Sequence, residues 1–524
     1  MVVAPHHLAA EAGCRVLRDG GNAIEAMVAA AAVIAVVYPH MNGLGGDNFW
    51  LISDGGREPE GIDACGAAAA LASRERYLAR GWSAGIPSRG PDAALTVAGA
   101  VSGWSMALER SRSLGGRLPL SRLLSEAIEL ARSGFPVTGS QARNTRQHRA
   151  ELEDVPGFRA TFLPDGEAPA EGQRMTLPRL AATLEHLARA GLDDFYRGAL
   201  ADSLARDLEA AGSPLRRGDF ERHRALAVRP LRVQLRAGSV FGMPPPTQGL
   251  ASLMILGLFD RLDVREGEGM AHVHGLVEAT KRAFLVRDAH VTDPAYMRVD
   301  PQSFLEAGFL DQEALQIDPR SALPWPRRAA PGDTVWLGAI DRHGLAVSFI
   351  QSIYWEFGSG LVLPESGIAW QNRGTSFPLE AGHRNALAPL RRPFHTIQPA
   401  LALLGDGRVM PYGTMGGEGQ PQTMAAVFTR HVAFGQDLGR AIAAPRWLLG
   451  RTWGQAVTNL RMEDRFDPSL VAALRAAGHE VQLVGAFDEM MGHAGALVLH
   501  RSGALAGLME GASDPRSDGS AACA

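Results

Sequence analysis

Between Ala26 and Val37 the chain carries no polar side chain. A bilayer span needs roughly 20 apolar residues, so this alanine-rich run, which follows Glu25 and is bounded by Pro39, is too short to cross one. It reads as a buried helix, capped by Asn22 and running toward Tyr38. A second run, Gly249 to Phe259, is almost continuously apolar, and Pro244 to Pro246 set it apart from a strand-like segment before it. With 524 residues and 46% hydrophobic content, the chain can cover such segments in one large core or in two to three ordinary ones.

Helical periodicity continues from Pro119 to Ser133, through the leucines at 180, 184, 187, 200, 204 and 208, and over residues 271 to 289. From about Asp318 to Asp333 the chain becomes loop-like, with Pro319, Pro324, Pro326 and Pro331, and is expected to be exposed and mobile. Strand signals follow at once. Thr334 to Ile340 and Leu345 to Ser352 flank Asp341-Arg342-His343-Gly344, the pattern of a hairpin between apolar strands. Further strands are expected at Leu361 to Val362, Ala400 to Leu404, Val481 to Val484 and Ala496 to His500, with helices near 422 to 433 and 467 to 477. The mixture points to layers of helix and sheet, without internal repeats.

Composition narrows the function. The net charge of -4 gives no electrostatic footprint for nucleic acid or anionic membrane, so a small ligand is expected. Lys281 is the sole lysine, which rules out a Gly-x-x-x-x-Gly-Lys phosphate loop. Gly43-Leu44-Gly45-Gly46-Asp47 has the wrong sixth residue and the wrong element order for a dinucleotide fingerprint, and reads as a tight turn packed under a sheet. His272 and His274 have no HExxH arrangement or carboxylate partner and read as core or surface histidines, so no metal and no cofactor is expected. Cys14, Cys65 and Cys523 are too few and too widely spaced for a disulfide framework. The N-terminus shows no secretory pattern, so a cytoplasmic protein is expected.

Other segments carry a resemblance. Asp333-Thr334-Val335-Trp336 leading into Asp341-x-x-Gly344, then Phe357-Gly358-Ser359-Gly360, Glu365-Ser366-Gly367, Arg392-Pro393, Gly416-Gly417 and Ala512-Ser513-Asp514-Pro515-Arg516 resemble, in order, the landmarks of the gamma-glutamyltranspeptidase family. Met243-Pro244-Pro245-Pro246 and Phe195-Tyr196-Arg197-Gly198 are similar to segments of its first part. The resemblance implies an α+β fold, the four-layer αββα sandwich of the N-terminal-nucleophile hydrolases, with antiparallel sheets flanked by helices. It implies a precursor cut between Asp333 and Thr334 into a large segment, 1–333, and a small one, 334–524, which together form one domain and stay associated. A homodimer fits the family.

The resemblance makes Thr334 the nucleophile, puts Ser352 beside its amine, and gives the oxyanion hole to Gly416 and Gly417. A threonine hydroxyl is a weak nucleophile that needs a base. Once freed, the α-amine of Thr334, with a reference pKa of roughly 7.7 to 8.0, supplies one. Before cleavage that nitrogen is an amide and cannot.

Specificity departs from the transpeptidases. Their carboxylate-gripping arginine has no counterpart in Ile62-Asp63-Ala64-Cys65-Gly66, their amine-binding aspartate is Ser376, and the glutamine before it is Arg373. Tyr354 replaces an asparagine, and His395-Thr396 replace paired serines. These changes argue for a small acid amide whose carboxylate pairs with Arg373, with a structural ion pair to Glu356 or Glu365 as the competing role for that arginine. The wording around Gln351 to Tyr354, Trp370 to Gly374 and Pro411 to Gln420 is similar to the oxamate amidohydrolase branch, which implies hydrolysis of oxamate to oxalate and ammonia. Glutathione or gamma-glutamyl hydrolysis, and an inactive relative with a binding or structural role, are the alternatives.

Overall fold

The strand that opens at Asp333 shows how the layers arise. Successive strand side chains point to opposite faces. Val335, Leu337 and Ala339 join an apolar cluster around the helix Ala23–Val37, while Trp336 and Ile340 join another with Phe49, Leu51, Leu401 and Leu497. The computed structural model of the protein describes residues 1–325, 333–450 and 458–524, without the side chain of Asp333. Pro326 and Pro331, on the approach to Thr334, lie outside the described residues.

In chain order the strands of the two main sheets are β1 (Val2–Ala4), β2 (Asp47–Ser53), β3 (Glu60–Ala64), β4 (Leu226–Val228), β5 (Leu231–Leu235), β6 (Gly238–Gly242), β7 (Asp333–Ile340), β8 (Ala346–Tyr354), β9 (Ala400–Leu404), β10 (Val409–Thr414), β11 (Ala494–Leu499), β12 (Met509–Ser513) and β13 (Ser520–Ala522). The first sheet runs β13-β1-β7-β8-β2-β3-β4 and the second β12-β11-β10-β9-β6-β5. Neighbours in both are antiparallel. Each sheet takes strands from both sides of the Asp333/Thr334 bond. Helices α1 (His7–Arg18) and α2 (Ala23–Val37) back the first sheet, and α3 (Gly249–Phe259), α4 (Met270–His290) and α5 (Gln420–Phe428) back the second. This is the expected four-layer α+β sandwich.

Every residue of α2 is buried. Asn22 and Glu25 form a capping box at its start, and the first amide, Ala23 N, donates to Asp341 Oδ2 at 3.1 Å. The other oxygen of Asp341 accepts from His343 N (2.9 Å) and Leu345 N (3.1 Å). One carboxylate thus closes the β7–β8 turn and meets the positive end of the helix dipole. Between the sheets, Trp336 is 1% exposed and donates to Ser348 Oγ at 3.0 Å. A Cβ at Gly413 or Gly495 would stand 2.2 or 2.4 Å from the indole, so those glycines make its slot.

Three expectations are corrected. Val362 makes only an isolated bridge to Ala369, and Leu361 to Val362 is not a strand. The described part of the proline-rich approach is tied down: Ala322 N donates to Ala477 O, Leu323 N to Glu278 Oε2, and Lys281 Nζ to Leu323 O. His274 does have a carboxylate neighbour, because Glu278 lies one turn on and the chain return brings His479 to the same place. His274 Nδ1 and His479 Nε2 are 2.8 Å apart, and the Lys281 ammonium donates to Glu278 Oε1 at 2.7 Å, a self-satisfied buried network. His272 is buried and bonds Thr429, a core histidine. Among the described residues, no helix is long and apolar enough to cross a membrane.

Candidate active site

Thr334 stands near the head of β7, fully buried, where the strand has paired with β8 on one side. The β7–β8 register shifts between Gln351 and Tyr354, a bulge that brings Tyr354 opposite Asp333. Bulges re-aim side chains beside functional sites. At this one Tyr354 takes φ +84°, a conformation costly for a bulky side chain. Ser352 Oγ accepts from Tyr354 N at 2.8 Å, which braces the bend. Gly46 passes behind Ser352 so closely that a Cβ there would lie 2.1 Å from the Ser352 carbonyl oxygen. The glycine run before β2 is therefore a close-packed turn, as read from sequence.

The second wall is the loop that ends β10. Gly416 and Gly417 have φ +119° and +51°, so both occupy backbone conformations that glycine adopts without penalty. They lead into the short 3₁₀ turn Gly417–Gly419 and then α5. The loop is held from the first part of the chain: Gln248 Nε2 donates to Gly417 O at 2.7 Å, Arg287 Nη1 donates to Gln248 Oε1 at 3.0 Å, and Arg287 pairs with Glu418 at 3.3 Å. Gln420, at the first position of α5, places Nε2 3.5 Å from Thr334 Oγ1 and accepts from Gln398 N at 3.3 Å. That contact brings the glycine loop and the threonine together.

The third wall is a buried charge cluster. Arg373 opens the 3₁₀ turn Arg373–Ser376 and is 1% exposed. Its guanidinium stacks on the Tyr354 ring, 3.7 Å from the centroid, and Nη1 donates to Thr396 Oγ1 at 3.2 Å. Nε and Nη2 are buried with no hydrogen-bond partner among the described residues. The expected pair with Glu356 or Glu365 does not form there. His148 reaches toward Glu356, and Glu365 lies exposed at the surface. Burial lowers the Arg373 pKa to about 10, opposed by Tyr354, Asp47 and Cys65, so the group stays cationic at neutral pH.

His395, next to Thr396, has Nε2 3.1 Å from Asp47 Oδ2, and both side chains are fully buried. Asp47 Oδ1 accepts from Gly99 N (2.9 Å) and Gly66 N (3.1 Å). Burial lifts Asp47 to about 7 against the pull of Arg373 and those amides, and burial with Arg373 and Arg392 nearby drives His395 well below its ordinary value. Both shifts favour neutral forms, so the pair resists holding an imidazolium. With Arg373 supplying the positive charge, ionised Asp47 and neutral His395 leave the cluster balanced. Cys65, in electrostatic range of Arg373, also lines a surface cleft with His223, Arg222, Arg224 and Arg392.

The structure gathers Thr334, Ser352 and Tyr354 on the β7–β8 hairpin and joins Tyr354, Arg373, Thr396 and His395 by contact. Ser376 lies half-buried at the end of the Arg373 turn, its Oγ buried and without a hydrogen-bond partner among the described residues. Sequence reading missed Asp47, Gln248, Arg287, Gln398 and Gln420. A signal existed for Asp47, an acidic residue heading a strand whose centre, Phe49 to Ile52, is apolar. Nothing in the local pattern marks the glutamines.

Face-to-face antiparallel sheets, helices outside and a threonine heading a central strand define an N-terminal-nucleophile hydrolase. The gamma-glutamyltranspeptidase family model matches residues 9–524, and the chain belongs to that family. An oxamate amidohydrolase proenzyme from Klebsiella pneumoniae is 56% identical over 523 residues, covering 100% of this chain and 98% of the relative. A glutathione hydrolase-like YwrD proenzyme from Bacillus subtilis is 40% identical, covering 99% and 98%. The crystal structure of a cephalosporin acylase from Bacillus halodurans superposes with a TM-score of 0.90 at 32% identity, covering 99% of this chain and 94% of that one. The protein is thus a gamma-glutamyltranspeptidase-like amidohydrolase activated by autocatalytic cleavage.

Proposed function

We propose that the chain cuts itself between Asp333 and Thr334, and that segments 1–333 and 334–524 then hydrolyse a short acid amide, oxamate to oxalate and ammonia being the reaction favoured. The observation that carries this reading is the buried Arg373 edge, with Nε and Nη2 lacking partners among the described residues, stacked on the tyrosine opposite Asp333. A planar guanidinium with two N–H groups on one edge matches a carboxylate. The name of the 56% identical Klebsiella relative agrees.

In maturation the Thr334 hydroxyl attacks the Asp333 carbonyl, the C–N bond breaks to leave an ester and a free Thr334 amine, and water opens the ester to release the Asp333 carboxylate and restore the hydroxyl. That amine then takes the hydroxyl proton as Oγ1 attacks the substrate amide. Backbone amides of Gly416 and Gly417 stabilise the oxyanion. The proton passes to the leaving nitrogen, ammonia departs, and water releases oxalate from the acyl-enzyme. Ser352 steadies the amine, and Gln420 orients the hydroxyl.

Intact-mass analysis of wild type beside Thr334→Ala, with oxamate and a gamma-glutamyl anilide assayed on the same samples, tests this. The expected result is wild-type fragments meeting at Asp333/Thr334, an uncut variant, and ammonia from oxamate alone. Glutamyl release would move the substrate to gamma-glutamyl compounds, clean cutting without turnover would favour a binding role, and an uncut, inert wild type would remove Thr334 as nucleophile.

A further inference from the structure

The polar atoms that the Arg373 cluster leaves without partners differ in kind. Arg373 Nε and Nη2 carry hydrogens and can only donate. His395 Nδ1 is also buried with no partner among the described residues, and its character depends on the other ring nitrogen. Asp47 decides that. Its Oδ1 already accepts two backbone amides, and its Oδ2 faces His395 Nε2 at 3.1 Å. An ionised carboxylate accepts only, so the proton of the neutral ring sits on Nε2 and Nδ1 presents a lone pair. Burial raises Asp47 to about 7, so this arrangement holds above that pH. The Phe49 ring, edge-on to His395 at 5.0 Å between centroids, restricts ring turning.

We propose that Asp47 is a positioning residue that fixes His395 as a hydrogen-bond acceptor, so that the site selects small acid amides over diacids of the same size. This deepens, and rests on, the reading of Arg373 as the carboxylate ligand. The pattern of two donors on Arg373 and one acceptor on His395 complements a molecule with a carboxylate at one end and an amide N–H at the other. A diacid turns an oxygen toward the same lone pair. The preference has a consequence for turnover: hydrolysis replaces the N–H donor by a carboxylate oxygen, so the product fits less well than the substrate.

Asp47→Asn reverses the pattern. The asparagine oxygen still accepts from Gly66 and Gly99, and its amide nitrogen donates to His395 Nε2, which moves the ring proton to Nδ1. Losing a negative charge strengthens every anion, the oxalate dianion more than the oxamate monoanion, so this common effect raises the ratio of oxamate KM to oxalate Ki but lowers the oxamate KM itself, and His395→Phe, which keeps the Asp47 charge, is the comparison free of it. At pH 8 the KM is expected to rise relative to wild type, and the Ki to fall, by ~10-fold each once the common effect is removed, the scale of one hydrogen bond to a charged or buried partner. The ratio then moves by about 100-fold.

His395→Phe is the second variant, keeping the ring and removing both nitrogens; its ratio is expected to rise as well, by a smaller factor. Fragment masses show whether each variant has matured. Wild type that turns over oxamate, with ratios unchanged in the variants, overturns the Asp47 assignment alone. Wild type that leaves oxamate untouched overturns the substrate reading together with it.

Discussion

Arg373 is held where a charge is expensive, so each group around it offsets part of the burial. The Tyr354 face, the Thr396 hydroxyl and the nearby Asp47 carboxylate keep it cationic, and two of its nitrogens remain for a ligand. Such a residue contributes to binding more than to folding. Arg373→Met keeps volume and the apolar stack but removes the charge; charged hydrogen bonds contribute roughly 1.5–3 kcal/mol, so the oxamate KM should rise by about 10- to 150-fold while fragment masses still show a cut chain. Steady-state ammonia release beside intact mass checks both. An unchanged KM would mean that the carboxylate is held elsewhere. The stretch Ile62 to Gly66 holds no arginine, and Cys65 within it lies in electrostatic range of Arg373, which places the buried cation of this region on the turn Arg373–Ser376.

The β7–β8 hairpin carries Thr334, the proposed nucleophile, and its far end is fastened to α2 through Asp341. Asp341→Ala removes two turn hydrogen bonds and the one at Ala23 N. At about 1 kcal/mol per net bond, the expected loss is ~2–3 kcal/mol, read as a lower midpoint of thermal unfolding followed by circular dichroism; a midpoint equal to wild type would mean that the turn closes without the carboxylate.

This element was legible because its signal is local. Apolar runs flank a turn sequence, and α2 announced itself by the run from Ala26 to Val37 that has no polar side chain. Leu361 to Val362 had apolar character too, but the three residues between Gly360 and Pro364 do not sustain a ladder. The site was legible only where family landmarks covered it. Thr334, Ser352, Gly416 and Gly417 sit in such segments, whereas Asp47 meets His395 across the sheets and Gln420 meets Thr334 across a loop, contacts that only folding creates. The same holds for His274, Glu278 and His479: the helical spacing of the first two was present in the chain, but His479 arrives from more than two hundred positions away.

At the scale of the whole molecule, both sheets combine strands from the two sides of the cleavage bond, interleaved in the first sheet and joined at the β9–β6 pairing in the second, so separation would expose open edges. The two segments are therefore expected to unfold together, and acid is the way to test that. His6 and His40 are lowered to about 3 by burial before the bond, His223 and His272 to about 4, and His479 to about 3 after it. Unfolded, these rings bind protons from about pH 6.5 downward; folded, they refuse them until about pH 4 or below. The unfolded state therefore binds more protons over that window, and stability falls as pH drops through it. Asp47, raised by burial to about 7, and Asp63, Asp207 and Asp518, also raised by burial, act in the opposite direction above the ordinary carboxylate range. The lowered histidines are more numerous, so the thermal midpoint of the processed protein should be several degrees lower at pH 5 than at pH 7.5. Because the rings lie on both sides of the cut and the sheets are shared, size exclusion across the same transition should show the fragments leaving together with the loss of sheet signal in circular dichroism. Fragments that separated at pH 5 while the sheet signal persisted would mean that each segment keeps its own strands paired, against the expectation drawn from the shared sheets.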